Sequence, residues 1–189
     1  MGLFDSINNK MKNITNQALN QAGGNKTLEI AIPNLPETLE QFKALPQAAL
    51  SNPFDTAAMT VLALCFYPQD SELCFSMLEY LRGPRPLSPY DKSFIKDRFR
   101  DADYVPRSYF KGATPQNDYQ PSQPYAIKVA ENPYSYTNEN YAKLFVFSGG
   151  ADNPREITMR LAKDGKWYLW EQFILVGIRQ PESQNPWAT

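Results

Sequence analysis

The sequence predicts an α+β fold in which N-terminal helices pack on a C-terminal antiparallel sheet that ends in a β-hairpin. Two patterns support this order. Apolar residues recur at helical spacing up to about residue 99, and beyond residue 125 they alternate with a period of two. The length of 189 residues favours one domain with a sizeable core. We expect an amphipathic helical tail at residues 1–25, a single α+β domain at residues 27–181 and a loose tail at residues 182–189.

A short strand and four helices are predicted before the sheet. The strand is expected at residues 28–32, where apolar residues alternate until a proline ends them. The helices are expected at residues 36–45, 56–67, 70–82 and 88–99. Asn52 and Ser88 each precede a proline and are followed three residues later by an aspartate, a pattern typical of a helix N-terminus. The second helix is apolar nearly all round, so it should be buried at the centre of the domain.

The most informative block is residues 155–179, which predicts the β-hairpin. Three apolar residues alternate with polar ones, as on a half-buried strand: Ile157, Met159 and Leu161. The pair Asp164-Gly165 then fits a two-residue type I′ turn. Such a turn places Met159 opposite Trp170, so the turn and the apolar pattern agree on one register.

That register assigns the two faces of the hairpin. The inner face, on which the helices pack, is predicted to consist of Ile157, Met159, Leu161, Tyr168 and Trp170. The outer face is predicted to consist of Arg160, Trp167, Leu169 and Glu171, and it is less polar than a solvated sheet face usually is. A bulge is expected near Glu171-Gln172. Residues 173–178 are predicted to form a central, covered strand because both of their faces are apolar.

Composition excludes several classes of function. The chain has 19 Lys and Arg against 20 Asp and Glu, a formal charge of 19 − 20 = −1, so electrostatics does not favour a nucleic-acid partner. It contains no histidine, which excludes Ser-His-Asp and Cys-His catalysis and the usual zinc sites. No cofactor is indicated. Asp97, Asp101 and Asp103 lie among arginines and are interpreted as a solvated helix end rather than an acid–base pair.

The predicted compartment is the cytoplasm. No apolar run is long enough to span a bilayer, and no signal-peptide pattern opens the chain. The two cysteines, Cys65 and Cys74, lie in apolar, helix-like sequence and are interpreted as buried reduced thiols.

Residues 103–140 are irregular and rich in proline and tyrosine. Tyrosines with adaptable polar neighbours make good recognition surfaces, and an arginine can hold an anionic group. One hypothesis is therefore an exposed binding surface formed by Tyr104, Arg107, Tyr109, Phe110, Asn117 and Tyr119. The other is an ordered Ω-like loop, whose rings pack against the domain while their hydroxyl groups bond to the backbone.

The N-terminal tail carries a narrow apolar seam at 3-4-3-4 spacing, formed by Phe4, Ile7, Met11, Ile14 and Ala18. The seam predicts self-association or docking on a protein partner, and a helix that frays or folds back on its own domain is the alternative. Contact with a membrane surface is disfavoured, because the polar face is rich in asparagine and carries only Lys10 and Lys12.

A family resemblance rests on the segments ALSNPFDTAAMTVLALCFY, MLEYLRGPRPLSPYDKSFIKDRF, YVPRSYFKGATPQNDYQPS and GKWYLWEQFILVGIRQP. Through these segments the chain resembles, from Leu28 to Pro181, an uncharacterised bacterial domain family that is common in gut Gram-positive genomes. The resemblance implies a bacterial origin, a single domain and a cytoplasmic setting, and it implies no activity and no catalytic residue.

The sequence therefore favours a non-enzymatic binding or interaction module whose N-terminal helix serves assembly or partner docking. The alternative is a small-ligand-binding or enzymatic domain with a pocket between helices and sheet. A deep cavity lined by Tyr168 and Trp170, with an Asp or Arg projecting into it, would favour that alternative. A filled core would favour the interaction module.

Overall fold

Five antiparallel strands form one sheet in which neighbours in sequence are neighbours in space, in the order β1-β2-β3-β4-β5. The computed structural model describes residues 25–187. The strands are β1 (Thr27–Ala31), β2 (Ala126–Ala130), β3 (Tyr141–Val146), β4 (Arg155–Leu161) and β5 (Trp167–Gln172). The helices are α1 (Leu39–Ala44), α2 (Pro53–Cys65), α3 (Ser71–Arg82) and α4 (Pro89–Phe99). The predicted α+β class is confirmed. The apolar seam of the N-terminal tail lies outside the described residues.

Each of the three longer helices begins at a side-chain cap. The Asn52 Oδ1 atom accepts a hydrogen bond of 2.9 Å from the Asp55 N–H, and the Asp70 Oδ1 atom accepts one of 2.9 Å from the Leu73 N–H. Ser88 forms a reciprocal capping box with the residue three positions on. These caps satisfy N–H groups that the first turn leaves unpaired, which is why the sequence patterns locate the helix starts. None of the helices within residues 25–187 has the length and apolar content needed to cross a membrane.

Helix α2 is the central element of the core. All of its residues except Asp55 and Cys65 are buried, and it contacts every strand of the sheet. The Thr56 hydroxyl donates to the backbone carbonyl of Trp167 at 2.9 Å, which joins the helix directly to β5. The Trp167 N–H donates to the Leu50 carbonyl at 2.8 Å. The prediction of a buried central helix is confirmed, and its contacts cover the outer edge of β5.

The register between β4 and β5 differs by one residue from the predicted one. The loop between them has three residues, because the Ala162 N–H bonds to the Lys166 carbonyl at 2.9 Å. Gly165 has a positive φ of +79°, whereas Asp164 lacks the positive φ that a two-residue type I′ turn requires at both central residues. Leu161 is therefore opposite Trp167, and Met159 is opposite Leu169.

A shift of one residue moves every side chain of β5 to the other face. Trp167 and Leu169 are each only 3 % exposed and belong to the core. Tyr168 and Trp170, predicted to lie on the inner face, are instead half-buried on the outer face. The predicted bulge is one residue earlier than expected, since Thr158 pairs with Glu171 and leaves Trp170 as the extra residue.

The strand expected at residues 173–178 does not form. Strand β5 ends at Gln172 and is the last strand of the sheet, so it is an edge strand and not a central one. Ile174 and Leu175 are still buried, whereas Phe173 is half exposed. Residues 173–178 thus pack as a turn against the core, because apolar side chains can be buried without strand pairing.

Candidate functional site

Four aromatic rings of the predicted binding surface are in the core. Tyr104, Tyr109, Phe110 and Tyr119 are all buried. The rings of Tyr104 and Tyr119 stack with centroids 5.4 Å apart and planes within 7°. These rings are therefore shielded from any partner, and they fit the second hypothesis, an ordered loop packed against the domain.

The hydroxyl groups of this segment hold the chain that follows β5. The Tyr109 hydroxyl donates to the Ile174 carbonyl at 2.7 Å, and the Tyr119 hydroxyl donates to the Arg179 carbonyl at 2.6 Å. Desolvation raises the pKa of Tyr119 to about 12, and the adjacent Tyr104 adds to the shift. Both hydroxyls therefore stay protonated and act as donors at neutral pH.

The two polar members of the predicted surface behave differently from each other. Arg107 is half-buried. Asn117 is exposed, but its amide is used within its own loop: it accepts from the Thr114 N–H at 2.9 Å and donates to the Gly112 carbonyl at 2.8 Å.

The C-terminal tail, predicted to be loose, is attached to this loop at its start, because the Ser183 hydroxyl bonds to the Asp118 carboxylate at 2.6 Å.

A concave site lies elsewhere, on the outer face of the sheet around Trp170. We call it the Trp170 cleft, and its volume is about 610 Å³. Its wall is built from the chain after α3, the start of β3, and the β4–β5 pair with its loop. The lining residues are Arg82, Pro84, Arg85, Glu139, Asn140, Tyr141, Arg160, Leu161, Ala162, Lys163, Asp164, Tyr168, Leu169 and Trp170.

Two guanidinium groups stack on the indole of Trp170. The Arg85 Cζ atom is 4.2 Å from the ring centroid and the Arg160 Cζ atom is 4.5 Å from it. Arg85 also donates from Nη1 to the Trp170 carbonyl at 3.0 Å. Tyr141 meets the indole edge-on at 5.7 Å, and Arg160 lies 5.3 Å from the Tyr141 centroid. Stacking on a large ring fixes the orientation of both cations.

A third arginine forms part of the cleft wall. The Arg82 side chain is 8 % exposed, and its Nε donates to the Arg85 carbonyl at 3.0 Å. Its Nη2 atom is 3.5 Å from the Asp91 carboxylate. Desolvation lowers the pKa of Arg82, while Asp91 opposes that change. Arg82 thus anchors the backbone that carries Arg85, and it forms an ion pair with Asp91.

Tyr168 and Asp164 form the rim at the β4–β5 loop. The Tyr168 hydroxyl donates to the Asp164 carboxylate at 2.7 Å, and the Lys166 N–H donates to it at 3.0 Å. Desolvation, followed by the bond to Asp164, raises the pKa of Tyr168 to about 12. Desolvation also acts to raise the pKa of Asp164, but the hydrogen bonds from Tyr168 and Lys166 outweigh it and the pKa falls below its usual value. Neither group changes its charge near neutral pH.

A smaller depression of about 260 Å³ adjoins the Trp170 cleft. The two share the walls formed by Arg82, Arg85, Leu169 and Trp170. The smaller one adds two exposed aromatic rings, Tyr90 at 77 % and Phe173 at 50 % exposure. The two depressions therefore lie side by side against these four shared residues. Within residues 25–187, no three cysteine, aspartate or glutamate side chains come together as a metal site would require.

The sequence profile of one family, described as Domain of unknown function (DUF6935), matches residues 34–182. The chain belongs to this family. Every residue of the Trp170 cleft lies within the matched range of the DUF6935 domain, whereas β1 precedes it. No curated protein and no solved structure matches the chain significantly.

Sequence reasoning missed the cleft because the wrong register placed its aromatic floor in the core. With the three-residue loop, Tyr168 and Trp170 share the outer face with Arg160, and a half-buried Trp beside an Arg is a recognisable signal. Arg85 gave no such signal, since it lies in a Gly-Pro-Arg-Pro connection that reads simply as a helix end.

Proposed function

We propose that the domain is a non-enzymatic binding module and that the Trp170 cleft is its recognition surface. One observation carries this proposal: two stacked guanidinium groups face a concave site without a counter-ion. Within residues 25–187, neither Arg85 nor Arg160 has a carboxylate oxygen within 4.0 Å. Holding cations in place before a ligand arrives reduces the entropy that binding must overcome.

The pKa values of Asp164 and Tyr168, at the rim of the cleft, favour binding over catalysis. General acid–base catalysis at neutral pH works best with a group whose pKa is near 7. The pKa of Asp164 lies below its usual range and that of Tyr168 is about 12, so the hydrogen-bonded pair keeps one charge state. The chain also has no histidine.

A small-ligand-binding domain is the second candidate. The cleft is lined by Tyr168 and Trp170 and by arginines, as that alternative requires, although it lies on the outer face of the sheet. Its volume of about 610 Å³ lies within the range usual for small-molecule sites.

Tryptophan side-chain signals in a ¹⁵N-labelled sample test the cleft as a binding surface. The three tryptophans have different environments: Trp167 is buried, Trp170 forms the cleft and Trp187 is exposed. Screening a cocktail of acidic, basic and neutral small molecules should shift the Trp170 indole signal, assigned with Trp170→Phe, and leave that of Trp167 unchanged. A screen in which only Trp187 responds, or none does, would contradict the proposal.

The N-terminal tail is proposed to serve assembly or partner docking through Phe4, Ile7, Met11, Ile14 and Ala18, and the compartment is proposed to be the cytoplasm. The two free thiols, Cys65 and Cys74, support a reducing compartment. For self-association, light scattering on the full chain should give a multiple of 21.5 kDa, and Ile7→Asp with Met11→Asp should give the monomer mass. Equal masses for the two samples would remove the oligomer hypothesis.

A further inference from the structure

Resting on the proposed function, we infer that the Trp170 cleft binds a peptide segment of a protein partner in which one Asp or Glu carboxylate adjoins apolar side chains. The group of the ligand that the cleft recognises is a planar carboxylate, held by Arg85 and Arg160. The apolar neighbours of that carboxylate would occupy the uncharged walls on either side.

The arginine pair fits a carboxylate for geometric reasons. A guanidinium is planar and offers a fork of N–H donors that matches the two oxygens of a carboxylate. Arg85 uses Nη1 for the Trp170 carbonyl, and no hydrogen bond within residues 25–187 engages the donors of Arg160. Both groups lie within 4.5 Å of the Trp170 centroid and both line the Trp170 cleft, so a ligand in the cleft has access to both.

Apolar side chains contribute to both depressions beside the arginines. Pro84 and Ala162 line the Trp170 cleft, and Leu161 lies there half-buried at the end of β4. The smaller depression, which shares Arg85 as a wall, adds Tyr90 and Phe173, which are among the most exposed large hydrophobic side chains of the described residues. Exposed aromatic side chains beside arginines are typical of peptide-binding surfaces. A ligand with one charge and apolar flanks would contact both the arginines and the apolar side chains.

The observations favour a peptide over a nucleic acid. The Trp170 indole already carries the guanidinium groups of Arg85 and Arg160, so it is not an open platform on which a base could stack. Two carboxylates, Glu139 and Asp164, also line the cleft. They would repel a chain of successive phosphates more strongly than a single carboxylate.

A matched pair of peptides tests the inference on the full chain. The first is an acetylated, amidated five-residue peptide with one glutamate between two leucines, and the second has glutamine at that position. We expect the glutamate peptide to bind at least tenfold more tightly in low salt, measured by calorimetry and by the Trp170 indole shift, because one charge-assisted hydrogen bond is lost in the second. Arg85→Gln and Arg160→Gln should each weaken the glutamate peptide about tenfold.

Control variants separate recognition from folding. Arg100→Gln removes an exposed guanidinium that pairs with Asp97 outside the cleft, so it should leave peptide affinity unchanged. Arg160→Lys keeps the charge but loses the planar fork, and it should weaken binding less than Arg160→Gln does. Retained thermal unfolding of each variant shows that the fold is intact.

Four outcomes would overturn the inference. Equal affinity of the glutamate and glutamine peptides, or no binding by either, would remove the carboxylate requirement. Acetate binding as tightly as the peptide would identify a free small carboxylate as the ligand instead. A single-stranded hexanucleotide binding more tightly than the peptide would point to nucleic acid. A Trp170 response to neutral or basic molecules alone would leave the proposed binding function standing while the inference fails.

Discussion

Replacing Tyr119 with alanine is expected to lower the free energy of unfolding by about 3–5 kcal/mol, the range for removing a buried aromatic ring. The Tyr119 ring is completely buried and stacks on Tyr104. Its hydroxyl bonds to the Arg179 carbonyl, so the substitution also frees the chain that follows β5. Urea unfolding of the two proteins measures the difference.

The backbone does not account for the expected loss. Tyr119 has a positive φ of 57°, and alanine is disfavoured there for the same steric reason as tyrosine, so the strain largely cancels. What changes is packing. A Cβ atom placed on Gly150 would lie 2.1 Å from the Tyr119 hydroxyl oxygen, which shows how closely the neighbouring turn packs on this side chain.

Two further variants divide the effect. Tyr119→Phe keeps the ring and leaves the Arg179 carbonyl without its donor, so it should cost about 1–3 kcal/mol. Tyr134→Ala removes another tyrosine of the same segment that is 75 % exposed, and it should change stability by less than about 0.5 kcal/mol. Similar losses for Tyr119→Ala and Tyr134→Ala would mean that the segment is not part of the core.

The helices were predictable because their signals are local. Asn52 and Ser88 each form the expected cap within three residues, and a capping bond depends on little beyond that distance. The central position of α2 followed from an apolar surface on all sides, since no exposed orientation of such a helix is stable. Local chemistry and burial pointed to the same structure.

The register of β5 was not predictable from the same patterns. Four consecutive large side chains, from Trp167 to Trp170, satisfy either parity, so the apolar pattern does not choose between the faces. The choice depends on whether the loop has two or three residues, and Asp164-Gly165 is compatible with both. Contacts with the core decide the register. Trp167 bonds through its backbone to Leu50 and Thr56, and its side chain faces inward.

The candidate site was hidden for a related reason. Arg85 and Arg160 are 75 positions apart and contact the same indole only because α3 ends beside β5. No spacing in the sequence records that approach. The tyrosine-rich segment had the composition of a binding surface, but composition does not distinguish a ring that faces solvent from one that fills the core.

Replacing Gly83 with alanine is expected to destabilise the domain by about 2–4 kcal/mol, from overpacking and an unfavourable backbone conformation together. Gly83 ends α3 at φ 54° and ψ −114°, a conformation that side chains rarely adopt. A Cβ atom there would lie 2.2 Å from the Tyr168 ring. Since Tyr168 forms the rim of the Trp170 cleft with Asp164, the substitution should also shift the Trp170 indole signal.

Gly165→Ala separates the two causes. Gly165 also has a positive φ, of 79°, but no atom lies within 4 Å of the added Cβ position, so the substitution should cost only about 1 kcal/mol for the backbone. A double-mutant cycle completes the test: in a Tyr168→Ala background the clash is gone, and Gly83→Ala should then cost less than in the native protein, by the part that overpacking contributes. If Gly83→Ala costs the same with and without the Tyr168 ring, steric contact between α3 and β5 does not set the shape of the cleft. A lower cost of Gly83→Ala in the Tyr168→Ala background would show that glycine is required at position 83 because the backbone passes so close to the Tyr168 ring. One contact then fixes both the end of α3 and the rim of the cleft.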